Sequence, residues 1–453
     1  MSLGATPAPT APAESASDAA IAKAARRLIP FLVAGFFVAY LDRVNLGFAA
    51  LTMNKDLALS PAAFGWGAGV FFFGYALFEA PSNYILHHVG ARRWLARIMV
   101  SWGLVSAGMA FVHDESSFVA LRLLLGVTEA GFSPGVLLYL TYWFPAVQRG
   151  RIFGLFLIAV PLSTAFGAPV SGAILTYMNG LFGLAGWQWL FIVEAAPATL
   201  LGVVAWFFLT DRPEHADWLE PNERAALVAR MADEAGEEDH HILPALREPR
   251  NLLLGIAYFG IVLALYGLGV WLPQIAAGFG YAPMGAALLT AVPFIIGAGA
   301  MMVWGRRSDR GAPARDAALA AIAGSVGLTI SAFCTTPAAA IAAMSLGAAG
   351  TLAAMPAFWN HVARGVTGAR AAVTIALVNS IGNLAGFAGP YLVGWVKETT
   401  GLWFAALLTL AAGPALCAAI MATVDRRERR PSIFDVDGLM RENSNLDRSR
   451  ETL

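Results

Sequence analysis

Long apolar runs separated by short polar breaks dominate the chain, and their lengths decide what kind of fold it can form. The first runs from Leu28 to about Ala50, long enough at roughly 1.5 Å per residue to cross a bilayer. A second covers about Phe64 to Leu86, a third ends near Val112, a fourth near Trp143 and a fifth near Tyr177. Trp187 to Phe208 form the sixth. A hydrophilic, mainly acidic segment from Thr210 to Arg250 then interrupts, with the periodicity of a surface helix over Asn222 to Glu234. Six more runs follow at about 251–276, 284–304, 316–334, 338–359, 371–396 and 402–424. The pattern predicts an all-α membrane protein of twelve transmembrane helices in two six-helix pseudo-repeats. Its expected divisions are a disordered N-terminal tail (1–22), a first bundle (23–209), a cytoplasmic linker (210–250), a second bundle (251–425) and a cytoplasmic C-terminal tail (426–453).

Composition supports this reading. Of 453 residues, 58% are hydrophobic and only 13% charged, more apolar surface than a soluble fold could hide. Formal net charge is zero, so nothing points to nucleic acid as a partner. Cys334 and Cys417 sit in apolar runs without metal-ligand spacing and read as helix-packing residues; no metal site is expected. The first residues lack the basic start, short apolar core and cleavage site of a signal peptide, so the first span is expected to do the targeting. Loops on the side of the N-terminus carry Arg92, Arg93, Arg149, Arg151, Arg306, Arg307, Arg310, Arg315, Arg364 and Arg370, whereas the opposite loops carry only Lys55 and Lys397. That asymmetry predicts cytoplasmic termini in a bacterial inner membrane.

The costliest residues lie inside the runs. Tyr40-Leu41-Asp42-Arg43 puts an acid and a base side by side in the first span, where each charge costs at least about 2.5 kcal/mol. The other charges within spans are Glu79, Arg122, Glu129 and Glu194, all in the first half. Depth suggests the pairing. Asp42 lies about 21 Å into its span, and Arg122 about a turn and a half into the fourth from the other side. Glu129, seven residues beyond Arg122, shares its helix face about 10 Å deeper. Two linked pairs are expected, Asp42–Arg122 and Arg43–Glu129, with Tyr40 beside them. Arg43 offers a carboxylate a bidentate fork, and Glu129 is a carboxyl whose proton can come and go as the Arg changes partner. A static pair that only fixes helix packing is the competing explanation, which four charges on two helices disfavour.

The halves also rhyme. Gly305-Arg306-Arg307-Ser308-Asp309-Arg310-Gly311 lies between spans eight and nine, and Asn83 to Arg93 lies between spans two and three. At Gly305 to Gly311 the chain resembles the major facilitator superfamily, whose loop motif has a Gly three residues before Asp-Arg and then Gly. The first-half copy departs from it with His87-His88. Tyr40 to Asn45, Phe78-Glu79-Ala80-Pro81-Ser82-Asn83, Arg122 to Gly131, Tyr142 to Pro145, Gly186 to Phe191 and Trp271-Leu272-Pro273-Gln274 resemble the branch of anion:cation symporters that carry small organic acids. The resemblance covers roughly residues 25–425. It implies a proton-coupled importer of a small organic anion that works by alternating access, not an enzyme, with the proton as coupling ion and no cofactor. It also implies substrate contacts by Arg43 and coupling by Glu129, with Asp42 and Arg122 as a second coupled pair.

Further candidates complete the expected site. Tyr75, Tyr266, Trp359, Asn379 and Asn383 are candidates for the cavity wall, where an aromatic face and an amide could hold a small acid. Glu79 and Asn83 are assigned to gating, as are Gly305, Asp309 and Arg310 of the loop motif. Glu194 is assigned a structural role, and His87-His88 a solvated one. Ala159-Val160-Pro161-Leu162 stands where sugar-acid symporters place an amide, and Phe358 where a hydroxyl would suit a polyol. Both departures favour a tartrate-like hydroxy- or dicarboxylate, or an aromatic carboxylate. The expected partners are this anion, protons and the lipid bilayer, with the protein a monomer. An exporter of a drug or metabolite on the same fold is the alternative, disfavoured by a central Arg; a non-transporting sensor would need an output domain.

Overall fold

The structure, a computed structural model, describes residues 11–235, 248–364 and 368–428. Among them are helices and turns and no strand, and twelve helices are long and apolar enough to cross a membrane. Span 1 is Ala11–Asp56, span 2 Pro61–Val89 and span 3 Ala91–Gly108, continued by a tight turn at Met109–Phe111. Span 4 comes in two pieces, Glu115–Glu129 and Phe132–Trp143. Spans 5 and 6 are Ala146–Tyr177 and Gly186–Phe208. After the surface helix Pro221–Ala235 come span 7 (Pro249–Ala277), span 8 (Pro283–Arg310) and span 9 (Pro313–Phe333). Spans 10, 11 and 12 are Pro337–Ala363, Gly368–Thr400 and Trp403–Glu428. The acidic stretch Glu237-Glu238-Asp239 and the tail arginines Arg429 and Arg430 lie outside the described residues.

Local chemistry sets where these helices begin. Pro61, Pro249, Pro283, Pro313 and Pro337 each open a span at the first helical position, where a missing N–H costs nothing and the fixed φ suits the helix. Asp114 caps span 4, accepting the Ser117 N–H at 2.7 Å while the Ser117 hydroxyl accepts the Asp114 N–H at 3.2 Å. That carboxyl, outside the spans, is held below its ordinary range by the two donors at Ser117.

Of the expected disordered tail, residues 11–22 are helical, and residues 1–10 lie outside the described residues. Helix begins at Ala11, and Ser17, Ala20 and Ala24 are buried. The physical reason is a partner invisible in the local sequence. The surface helix lies against this extension: Lys23 pairs with Glu223 at 2.7 Å, Arg230 with Asp18 at 2.7 Å, and Leu227 is fully buried. Alanine-rich segments are good helix formers once one face is covered.

Backbone contact holds the bundles together. Gly324 and Gly327 of span 9 face Gly350 and Gly347 of span 10, leaving no room for a Cβ. The two halves meet through span 2 on span 11, span 5 on span 8 and span 1 on span 7. At Gly47 a Cβ would lie 2.6 Å from the Val270 carbonyl oxygen, and at Gly65 it would lie 2.6 Å from that of Pro390. Hydrogen bonds crossing between the halves include Asn54 to Gln274 at 3.5 Å and Ser60 to Glu398 at 2.7 Å, with the Ala62 N–H also on Glu398 at 2.8 Å. All these contacts lie toward the face opposite the termini.

Gly47→Val is expected to hold spans 1 and 7 apart on that face. A single cysteine placed at Gln274 should then react severalfold faster with a membrane-impermeant maleimide than in the Gly47 background. Equal rates would show that the closure does not depend on this contact.

Candidate functional site

Span 1 presents Arg43, 9% exposed, where two further helices of its own half and one helix of the other converge. Its Nε and Nη2 both donate to Glu129 Oε1, at 2.9 and 2.6 Å, and its Nη1 donates to the Tyr266 hydroxyl at 3.1 Å. Three of its five N–H groups are thus used and two remain. The guanidinium sits over the rings of Tyr40 and Tyr75 at 5.1 Å each, and of Phe71 at 5.6 Å. Aromatic faces stabilise a cation where water is absent, and Arg is hydrated weakly enough to accept them. Removing one partner of such a buried pair leaves an unanswered charge, a loss of about 3–5 kcal/mol. The expected Arg43–Glu129 pair, with Tyr40 beside it, is present.

Glu129 is fully buried and ends the first piece of span 4. Gly131 there has φ of 85°, a left-handed turn that an L side chain resists, and the helix restarts at Phe132. The sequence predicts one continuous span; the structure breaks it beside the charge pair. Interrupted helices of this kind occur inside membranes where the freed backbone lines a protein interior. Glu129 Oε2 has no hydrogen-bond partner, so half of this carboxyl is unused.

The expected Asp42–Arg122 ion pair is absent. Arg122, 3% exposed, donates from Nε to the Gly67 carbonyl and from Nη2 to the Ala68 carbonyl, both at 3.3 Å, and stacks on Phe71 at 5.1 Å. It ties span 4 to span 2. Asp42 turns instead toward span 3, accepting from the Ser106 hydroxyl, and from Asn45 Nδ2 at 3.3 Å. Depth along a helix placed both residues at one level but said nothing about rotation, and hydroxyl and carbonyl groups supplied the partners.

On the other half, Tyr258 and Tyr266 share a face of span 7, both buried. Tyr258 stacks on Phe358 at 5.4 Å and meets Trp359 edge-on at 4.9 Å. Phe358 is fully buried and Trp359 half-buried, so of the two only Trp359 retains exposed surface. Asn379 and Asn383 are half-buried on span 11, where Gly382 between them abuts the Tyr258 ring. Tyr258 was not among the expected residues, although its eight-residue spacing from Tyr266 is a legible signal. On the first half, Tyr75 and Glu79 lie one turn apart on span 2, and both interact with Arg43 through space. Asn83 is a turn further on, its Oδ1 buried without a partner. His87 bonds the Tyr142 hydroxyl at 3.3 Å and His88 the Tyr84 carbonyl at 2.9 Å. In the loop motif Asn360 donates to Ser308 at 2.7 Å and Asp309 at 2.8 Å, the Gly305 carbonyl accepts from Ser308, and Arg310 is exposed beside Arg306 and Arg307. Among the described residues no group of acidic, His and Cys side chains could hold a metal ion.

Twelve membrane-capable helices in two halves, with a buried cation bridging them, are the architecture of a multi-pass membrane protein. Residues 32–390 match the family model described as Major Facilitator Superfamily, and the chain belongs to that family. It is 48% identical over 402 residues to an Agrobacterium vitis protein named "Putative tartrate transporter", covering 88% of this chain and 92% of that one. It is 39% identical over 392 residues to an Acinetobacter baumannii protein named "Quinolone resistance transporter", covering 85% of this chain and 90% of that one. The fold matches a bacterial homologue of the human lysosomal transporter Spinster, in an inward-facing and occupied conformation. There the TM-score is 0.72 at 15% identity, over 89% of this chain and 98% of that one.

Because Asp42 and Arg122 have separate hydrogen-bond partners and meet only through space, Asp42→Asn and Arg122→Gln are expected to couple by less than about 1 kcal/mol in a double-mutant unfolding cycle. Arg43→Gln and Glu129→Gln should instead couple by about 1 kcal/mol or more. Strong coupling of the first pair would restore the ion pair that the geometry lacks.

Proposed function

We propose that the protein imports a small organic anion together with protons by alternating access. The carrying observation is Arg43, which is bonded to Glu129 in its own half and to Tyr266 in the other. A proton arriving on Glu129 neutralises it and weakens its hold on the guanidinium. A substrate carboxylate then takes the fork, using two N–H groups in parallel. Tyr266 carries that event to the opposite half, and Tyr258, Trp359 and Asn379 offer the substrate an aromatic and amide wall. Proton loss from Glu129 lets it reclaim Arg43 and expel the anion. Charged substrate and charged Glu129 compete for one cation, which is the physical basis of coupling.

The arginine-rich face is read as cytoplasmic in a bacterial inner membrane. On that orientation the inter-half contacts close the periplasmic side, and the conformation is inward-facing. Asp42 is read as a coupling acid, Glu79 and Asn83 as gating residues, and Gly305, Asp309 and Arg310 as gating at the cytoplasmic loop, while Arg122, bonded to the Gly67 and Ala68 carbonyls, acts on coupling only through the hold of span 4 on span 2. The lack of an amide in Ala159-Val160-Pro161-Leu162 and the tartrate named for the relative favour a compact hydroxy- or dicarboxylate, or an aromatic acid. The quinolone named for another relative favours a second reading, export of a drug by the same Arg43 machinery run outward.

Thermal-shift screening of tartrate, galactonate and phthalate at two pH values selects the probe. Stronger protection at the lower pH is expected, since anion and proton bind together. In proteoliposomes, Glu129→Gln is expected to lose proton-driven accumulation while keeping counterflow; equal loss of both, with normal folding, argues against coupling there. Arg43→Ala should abolish thermal protection by the probe, and retained protection would sink the carboxylate role. A quinolone accumulated by everted vesicles under a proton gradient, with none of the acids bound, would select export.

A further inference from the structure

Four arginines gather at the turn between spans 8 and 9. Arg306, Arg307 and Arg310 close span 8, Arg315 opens span 9, and all four are exposed. With Val303, Gly311 and Asp316 they line a recess of about 480 Å³. Its base is fixed by side chains from both spans. Asp316 is fully buried and accepts from Arg307 Nε at 3.3 Å, with Arg315 Nε at 3.9 Å. Trp304 donates to the Asp316 carbonyl at 2.9 Å and carries the Arg307 guanidinium on its ring at 4.8 Å. From just past span 10, Arg364 donates to the Gly311 carbonyl at 3.2 Å.

The charges here do not balance. Among the described residues Asp316 is the one acid lining the recess, and Asp309 beside it accepts from Asn360 at 2.8 Å. Arg307 and Arg315 share Asp316, while Arg306 and Arg310 form no hydrogen bond or ion pair among the described residues. The dipole of span 8 favours cations at its C-terminus, which accounts for Arg307 and Arg310. It does not account for Arg315, which sits in the first turn of span 9, where the dipole disfavours a cation. The matching loop of the first half engages its arginines instead. There the Arg92 N–H donates to Asp211 at 2.7 Å, and Arg97 lies over Trp94 at 3.8 Å. The second-half recess thus presents net positive charge to any anion that reaches it.

The apolar surface leading to the arginines decides which anion. Leu288, Val292, Ile295, Ile296 and Val303 are exposed at helical spacing on span 8, and the row runs on into Arg306, Arg307 and Arg310. Leu319, Ile322, Val326, Ile330 and Phe333 form a similar row on span 9 that leads to Arg315. From Val292 to Val303 is about 16 Å at 1.5 Å per residue, one leaflet of a hydrocarbon core about 30 Å thick. Arg306 stands about one turn beyond, at the level of the headgroups. A free phosphate has no use for such a wall, whereas a phospholipid uses both parts.

We propose that this recess binds the phosphodiester headgroup of an anionic phospholipid, whose acyl chains lie along the two apolar rows. Arg306 and Arg310 offer the phosphate unengaged forks, and Asp316 holds Arg307 and Arg315 at its edge. The site belongs to the second half alone and shares no residue with the surroundings of Arg43, so it does not depend on the transport reading.

The test is native mass spectrometry of the delipidated full-length protein in neutral detergent, titrated with phosphatidylglycerol or phosphatidylcholine. Phosphatidylglycerol should bind the more tightly. The double variant Arg306→Gln/Arg315→Gln should lose about fivefold in that affinity for each arginine removed. Arg306→Lys/Arg315→Lys, which keeps both charges, should retain most of it, so a folding defect in the glutamine variant does not decide the matter. Arg93→Gln, which removes an exposed arginine from the first-half loop, should leave it unchanged. Equal affinity for the two lipids, or an equal loss per charge in Arg93→Gln, would overturn the proposal in favour of diffuse surface charge. Displacement of phosphatidylglycerol by millimolar inorganic phosphate would overturn it in favour of a free anion.

Discussion

A charge inside a bilayer must be answered by some other part of the protein, and much of this architecture follows from how Arg43 is answered. Arg43 is buried, so the guanidinium needs an anion, a hydroxyl and aromatic faces to offset its desolvation. No single helix can supply all of these. Glu129 comes from span 4, Tyr75 and Phe71 from span 2 and Tyr266 from the other half, so satisfying one side chain assembles four helices. The same side chain links the halves, through its hydrogen bond to Tyr266.

The break in span 4 belongs to the same constraint. A continuous helix would satisfy its own backbone and could be an inert wall. Ending the helix at Glu129 and restarting it at Phe132 sets the carboxylate at the last residue of a helical piece. Ser82 packs against Gly131, so span 2 fills the gap and holds the turn in place.

The fold was legible because hydrophobic length and arginine asymmetry are summed over many residues and tolerate local errors. The Arg43–Glu129 pair was legible for a different reason: depth along two antiparallel helices can be counted, and each residue had few alternatives. Asp42–Arg122 failed because the count gives height and not azimuth. A serine hydroxyl for Asp42 and two carbonyls for Arg122 are partners that leave no charge pattern in the chain. The hydroxyl that meets Glu194 was hidden in the same way, since Ser171 is an unremarkable residue until folding brings it there. The helical start at Ala11 was hidden because its stabilising face lies about two hundred residues away, on the surface helix. The left-handed turn at Gly131 had a visible cue in the glycine, but many membrane glycines serve close packing instead, as Gly324 and Gly350 do.

Glu398 accepts from the Ser60 hydroxyl and from the Ala62 N–H. Those donors stand at the start of span 2, where the backbone N–H groups have no partner within their own helix. A residue of one half is therefore acting as the terminal cap of a helix in the other. The closed face is secured by an interaction that ordinarily fixes where a helix begins, and Ser60 can supply part of it alone, since its own Oγ accepts from Ala63 at 3.1 Å. Separation of the halves then unravels nothing: span 2 keeps its local cap, Glu398 returns to water, and solvent takes over the vacated donor. The catch that holds the two bodies together is one for which water is a ready substitute.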